Sequence, residues 1–307
     1  MNDFASAAML RLVGHGLRRQ GLAAPPPVPV QQGRVALDDK RALLAGLWQS
    51  IGPAGLARIG DTIRELPEEP TLRALVLALD PWDLLARWQR LERFVHSRHR
   101  TRTEALGPGR MRLQHVSQAP GQRPTAAEDV LVFGLLVALC ERVAGRPVQA
   151  RPVGSRHWLR QDGQWRDGPW PQALHTWELR WDAGGVADVP RPPEAGPVSG
   201  DRWLEALHAA LCADPGRPWR VDDLARASEL SARSLQRHLA RRQLCFSGLL
   251  TSARVQCAAD LLTSSGLSVA EVGYHCGFAD QPHFSRQFRQ ATAMTPARYR
   301  AQFARAG

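Results

Sequence analysis

Apolar residues recur at three- and four-residue steps over Phe4–Arg19, Asp39–Ser50, Pro53–Leu66, Pro81–His99 and Ala126–Gly145. A helix turns once in about 3.6 residues, so this spacing gathers an apolar stripe on one side and predicts five amphipathic helices. Asp80 before Pro81 has the form of an N-cap followed by proline at the first helical position. Alternation, the period of a half-buried strand, is weaker and appears over Arg110–Ser117, Pro147–Val153 and Ala173–Trp181. The first part of the chain therefore reads as α+β.

Two tracts carry neither period. "GLAAPPPVPVQQG", Gly21 to Gly33, favours extended polyproline backbone and separates the first helix from the rest. "DAGGVADVPRPPEAGPVSG", Asp182 to Gly200, is rich in Gly, Pro and small residues, and it reads as a linker between domains. The expected organisation is residues 1–182, a linker over 183–200, and a second domain over 201–307. No repeat of solenoid length is visible.

Beyond the linker the strand pattern disappears and helix starts become regular. Asp222, Ser231, Ser268 and Asp280 each precede a helical run and can accept a bond from an unpaired backbone N–H at its start. Ser268 with Glu271 has the spacing of a capping box, and Gly277 follows Cys276 where a left-handed residue commonly ends a helix. Two short helices with a tight turn, followed by the same plan again, predict two helix-turn-helix units in an all-α second domain.

The second helix of each unit has two unlike faces. Between Ser231 and Arg242, Leu235 and Leu239 form one stripe while Arg233, Arg237 and Arg241 form another. Between Asp280 and Gln290, Phe284 and Phe288 face a core, leaving Gln281, His283, Ser285, Arg286 and Gln287 outward to varying degree. A major groove about 12 Å wide admits a helix, and Arg and Gln are side chains suited to guanine and adenine edges there. An exposed arginine stripe is also what an ordinary solvated face looks like, so it is the pairing of two such units that points to DNA.

Composition agrees with that placement. The 307 residues carry 40 Lys+Arg against 29 Asp+Glu, a net charge of +11, and nearly all the cations are arginine because Lys40 is the one lysine. Such a surplus also arises as a compositional habit, so its position on helix faces is what matters. The five cysteines (Cys140, Cys212, Cys245, Cys257, Cys276) lack C-x-x-C spacing and read as buried free thiols, with neither a disulfide framework nor a metal site. No cofactor motif and no catalytic constellation stands out. No run approaches the length of a membrane span, and no signal pattern opens the chain, which predicts a cytoplasmic protein.

The stretches "LSARSLQRHL", "FSGLLTSARVQCAADLL", "SVAEVGYHCGFADQPHFSRQFRQ" and "TPARYR" together resemble the DNA-binding domain of the AraC/XylS family of bacterial transcription regulators, over roughly a third of the chain. The resemblance implies seven helices in two helix-turn-helix subdomains joined by a long central helix from about Ser247 to Ser264. It also implies base-contacting positions at Arg233, Gln236 and Arg237 in the first recognition helix, and at Gln281, His283 and Arg286 in the second. Arg254, Ala258, Leu261 and Leu262 match the central helix, with Arg254 as a member of a structural ion pair. Pro282, Gly273 and Ala293 depart from the family pattern. Residues 1–182 look like the arabinose-binding-like or OruR-like non-cupin sensor domains of this family. That likeness implies a small-molecule effector and a homodimer, with double-stranded promoter DNA and RNA polymerase as macromolecular partners.

Two other classes stay open. One is an enzyme, such as a DNA-repair methyltransferase carrying the same helical module, although Cys140 alone in the first domain cannot supply a cysteine-rich zinc centre. The other is a nonspecific nucleoid protein. Two sets of residues in the first domain invite a site: His96 and His99, read as surface histidines on one helix, and eight tryptophans (Trp48, Trp82, Trp88, Trp158, Trp165, Trp170, Trp177, Trp181), for which core packing competes with a pocket.

Overall fold

A computed structural model describes residues 4–6, 8–25, 27–30, 34–64, 75–96, 98–166, 168–182 and 200–303. They fall into two compact units, Met1–Ala187 and Asp188–Gly307. Residues 183–199 of the expected linker lie outside the described residues, as do Leu66 at the end of the second predicted helix and part of the Gly21–Gly33 tract.

The first unit corrects several readings. Phe4–Ser6 is a strand, β1, paired antiparallel with β2 (Arg34–Ala36), and the helix α1 spans Ala8–Arg19. Apolar spacing cannot reveal a three-residue strand whose backbone groups are satisfied thirty residues away. Helix α2 (Leu37–Asp61) is broken at Gly52, whose φ of 64° and ψ of −177° precede Pro53, so its arms are the two helices expected there. Helix α3 (Pro81–Val95) is capped by Asp80, whose Oδ1 accepts the Asp83 N–H at 2.8 Å, but it stops four residues before His99.

His99 instead opens β3 (His99–Gly107), which pairs with β4 (Arg110–Ser117). The reversal is fastened by buried Glu92, which accepts the Thr101 N–H at 2.8 and 3.1 Å and the Trp88 indole N–H at 2.8 Å. Strands β5 (Gln149–Pro152), β6 (Arg160–Gln161), β7 (Gln164–Trp165) and β8 (Thr176–Arg180) complete an antiparallel sheet in the order β3-β4-β8-β5-β6-β7.

Helix α4 (Ala126–Ala144) is the centre of this unit and is buried from Ala127 to Glu141. It lacks a polar face, as expected of a helix covered on every side. Phe133 packs against Trp177 of β8 with ring centroids 5.4 Å apart. On its other side a Cβ added at Gly60 of α2 would lie 2.2 Å from the Gly134 carbonyl carbon, so α2 and α4 touch backbone to backbone. Arg160, 1% exposed, donates to Glu141 at 2.6 and 3.0 Å and to Asp61 at 3.0 Å, tying β6 to α4 and to the end of α2. Trp88, Trp165, Trp177 and Trp181 are buried in the core, and half-buried Trp170 packs its ring against Trp165 and Trp177.

His96 and His99 are not surface residues on a shared helix. Their rings stack at 4.5 Å, and the His99 ring meets His115 of β4 edge-on at 5.0 Å. His99 and His115 are 2% and 3% exposed. Around them are Lys40, 3.5 Å from His96 Nε2 and 3.0 Å from Glu128 Oε1, and Asp129, 2.8 Å from His115 Nδ1. Glu128 also closes the capping box that starts α4, accepting the Thr125 N–H at 2.9 Å. Burial holds the imidazoles of His99 and His115 near pKa 3 and that of His96 lower still. Burial pushes the Asp129 carboxyl up to about 8, whereas for Glu128 it is outweighed by the Lys40 charge and the Thr125 N–H, leaving a pKa of about 2.

These shifts have a defined sign. A histidine with a folded pKa near 3 takes up its proton on unfolding from about pH 6.5 downward, so its contribution is present above about 6.5 and is lost as the pH falls towards 3. Asp129, with the opposite shift, favours folding below about pH 4 and loses its contribution as the pH rises through 8. Relative to the wild type, His99→Leu should therefore remove an acid loss of about 1.4 kcal/mol per pH unit between roughly 6.5 and 3. Urea unfolding followed by tryptophan fluorescence at several pH values would measure it; parallel pH slopes for the two proteins would refute it.

In the second unit the described residues form seven helices: α5 (Gly200–Ala213), α6 (Val221–Ala227), α7 (Ala232–Ala240), α8 (Phe246–Ser264), α9 (Val269–His275), α10 (Gln281–Thr292) and α11 (Pro296–Phe303). The start of α6 differs from expectation: Asp222 lies inside its first turn, and Asp223 Oδ2 accepts the Arg220 N–H at 2.9 Å. Leu207, Leu211, Leu224, Leu235, Leu239, Leu249 and Ala253 form the core of α5–α7 against α8. Phe278, Phe284, Phe288, Tyr299 and Phe303 form a chain of ring contacts of 4.8 to 5.6 Å through α9–α11. Cys140 and Cys276 are buried, but Cys245, expected to be buried, is exposed at the start of α8. Ala293 adopts a left-handed φ of 59° where glycine would be unstrained, at a cost on the order of 1 kcal/mol.

Candidate nucleic-acid interface

Helix α7 starts where Ser231 Oγ accepts the Ser234 N–H at 3.1 Å. Leu235 and Leu239 are fully buried, which fixes the rotation of the helix about its axis. Arg233, Gln236 and Arg237 consequently face solvent, followed by Arg241, Arg242 and Gln243 in the turn after the helix. Arg242 is held there, its guanidinium 5.2 Å from the Trp203 ring centroid and donating to the His238 carbonyl at 3.2 Å.

Helix α10 repeats the arrangement with different side chains. Asp280 Oδ1 accepts the His283 N–H at 2.7 Å, and Pro282 occupies the first turn, where its missing N–H costs no helical bond. Phe284 and Phe288 are fully buried, and Gln281 and Arg286 are exposed. Ser285 and Gln287 are half-buried, as is His283, whose Nδ1 accepts the Ala279 N–H at 3.4 Å and whose ring lies against Phe278. With Nδ1 as acceptor, the neutral imidazole carries its proton on Nε2. Of the six positions singled out in the sequence, five are exposed and His283 is partly committed to its own turn.

Arg289, Gln290 and Arg298 are exposed as well and were not singled out. The signal was present, since residues 289 and 290 lie three and four positions after Arg286 and continue its face. Arg254 donates to two backbone carbonyls, Pro215 at 3.0 Å and Arg217 at 3.3 Å. Exposed guanidinium and amide groups on helices whose opposite faces are immobilised by leucine or phenylalanine can donate to phosphate oxygens and to base edges. No helix among the described residues is long and apolar enough to cross a membrane.

Residues 224–302 match a family described as a helix-turn-helix domain. Over 98 residues the chain is 33% identical to the urease operon transcriptional activator of Escherichia coli, covering 32% of this chain and 33% of that protein. Over 97 residues it is 33% identical to the ornithine utilization regulator of Pseudomonas aeruginosa, covering 32% and 29%. The chain thus matches about a third of the length of these curated relatives, whose names are those of regulators and not of enzymes. Among solved structures, an AraC-type DNA-binding domain protein from Chromobacterium violaceum shares 30% identity over 35% of this chain and 96% of its own, with a TM-score of 0.32.

Proposed function

We infer, from a C-terminal region that is a helix-turn-helix domain of the AraC/XylS type, that this chain is a sequence-specific DNA-binding transcription regulator. Its helices α5–α7 and α9–α11 act as two helix-turn-helix subdomains joined by α8. Helices α7 and α10 are the recognition helices, with Arg233, Gln236, Arg237, Gln281, His283 and Arg286 facing the bases. The observation that carries this reading is the matched geometry of the two helices: each has its apolar pair fully buried, with Arg233, Gln236 and Arg237 exposed on α7 and Gln281 and Arg286 exposed on α10.

Two recognition helices about one turn of duplex apart, roughly 34 Å, read successive major-groove faces. A single chain then covers a long asymmetric site. Residues 1–182 serve as the effector-sensing and dimerisation domain, the role that a resemblance to arabinose-binding-like or OruR-like sensor domains would imply, and residues 183–200 as the linker. Promoter DNA, a small-molecule effector, RNA polymerase and a second copy of the chain are the partners of this reading.

The test is selection from random duplexes at fixed salt. The full chain should enrich one asymmetric sequence and bind it about a thousandfold or more tighter than scrambled DNA, while its affinity for scrambled DNA falls steeply with salt. An affinity that falls with salt but is the same for every duplex would instead support a nonspecific nucleoid protein.

A further inference from the structure

We infer that a junction of Arg254, Gly277 and the Pro215 carbonyl fixes the angle between the two recognition helices, and so sets the spacing that the protein accepts between the two halves of its DNA site. The inference rests on the DNA reading above and adds a positioning residue, Arg254, that acts through the helices and not on a base.

Arg254 lies at the middle of α8, half-buried. Its Nε and Nη2 donate to the carbonyls of Pro215 and Arg217, both in the loop between α5 and α6. Gly277 lies in the turn between α9 and α10 with φ of 78°, in the left-handed region. A Cβ added there would lie 2.2 Å from the Pro215 carbonyl oxygen, 2.9 Å from Arg254 Nε and 3.0 Å from Arg254 Nη2. The turn that begins the second recognition helix therefore rests on the same carbonyl that the α8 arginine grips. Pro215, Gly216 and Gly277 are all buried.

This contact changes the mechanics of the unit. Both helical groups pack on the 19-residue α8, α5–α7 against Leu249 and Ala253 and α11 through Arg300 Nε on the Leu262 carbonyl, but a helix shared by both still lets one group rotate against the other about its axis. The junction adds a second attachment between loop and turn, at backbone distance, and two attachments remove that rotation. Inserting one base pair rotates the following groove by about 35° and moves it about 3.4 Å along the axis. A braced pair of recognition helices cannot follow such a change, whereas a swivelling pair can.

The experiment uses the full chain and the sequence that the wild type selects, with one base pair added or removed between its halves, at fixed salt. The wild type should lose about tenfold or more in affinity for either altered spacing. Arg254→Gln and Gly277→Ala, which disturb the junction from opposite sides, should lose only about threefold or less while binding scrambled DNA as the wild type does. If Gly277→Ala unfolds, Arg254→Gln still decides, because it leaves every backbone angle permitted. Variants that weaken binding by the same factor at all spacings, or that keep the wild-type spacing profile, would overturn the inference. A wild type that enriches no sequence would remove the DNA reading itself, a separate outcome.

Discussion

Replacing Arg160 by alanine should destabilise the first unit by about 3–5 kcal/mol, because it takes from buried Glu141 the cation facing both its oxygens. Glu141 keeps its bond from the Val148 N–H at 3.1 Å, but a neutral amide does not balance the charge of a buried carboxylate. The Trp165 ring, 5.3 Å from the guanidinium, loses a packing partner as well. For a unit of this size the loss corresponds to a fall in melting temperature on the order of 10 °C. Tryptophan fluorescence follows it directly, since eight of the ten tryptophans lie in residues 1–182. Changing both partners, Arg160→Met with Glu141→Leu, should recover most of the loss, because two apolar groups leave no charge to solvate. A double variant as unstable as the single one would show that lost packing, not lost charge balance, dominates.

The second large effect concerns DNA. Arg233 and Arg286 lie on different helices, both exposed, and neither side chain has a hydrogen bond or ion pair among the described residues, so removing them should leave the fold intact. Each arginine that reads a guanine contributes about 1–3 kcal/mol of discrimination, and separated positions add. Arg233→Ala with Arg286→Ala should therefore cost about 2–6 kcal/mol on the selected site, with much less change on scrambled DNA. Fluorescence anisotropy at fixed salt on both duplexes gives the comparison. Losses of equal size on the two duplexes would assign these arginines to phosphate, which positions a protein without reading sequence.

What could be read from the sequence depended on the range of the interactions involved. Ser231, Ser268 with Glu271, Asp280 and Gly277 were legible because a cap is made by a side chain and a backbone group a few residues apart. Strand β4 alternates along its own length and was visible; β3, with the sequence "HRTRTEALG", does not, and it is a strand because β4 lies beside it. The histidines were misread for a related reason. Residues 96 and 99 have helical spacing, and nothing local announces that Lys40, His115, Glu128 and Asp129 converge on them from three other elements. The exposed faces of α7 and α10 followed from their buried leucines and phenylalanines, whereas the commitment of His283 to the Ala279 amide required coordinates.

Cys245 ends the turn between α7 and α8, and of the five thiols it alone is exposed. A hydrogen bond with the Ser247 hydroxyl pulls its pKa below the ordinary range, and its exposure makes it the thiol that a reagent reaches first. A maleimide dye added in limiting amount would land there first, a few residues from Arg241. The native chain thus comes with its own attachment point for a fluorophore, and its encounters with DNA can be watched by light without altering any residue.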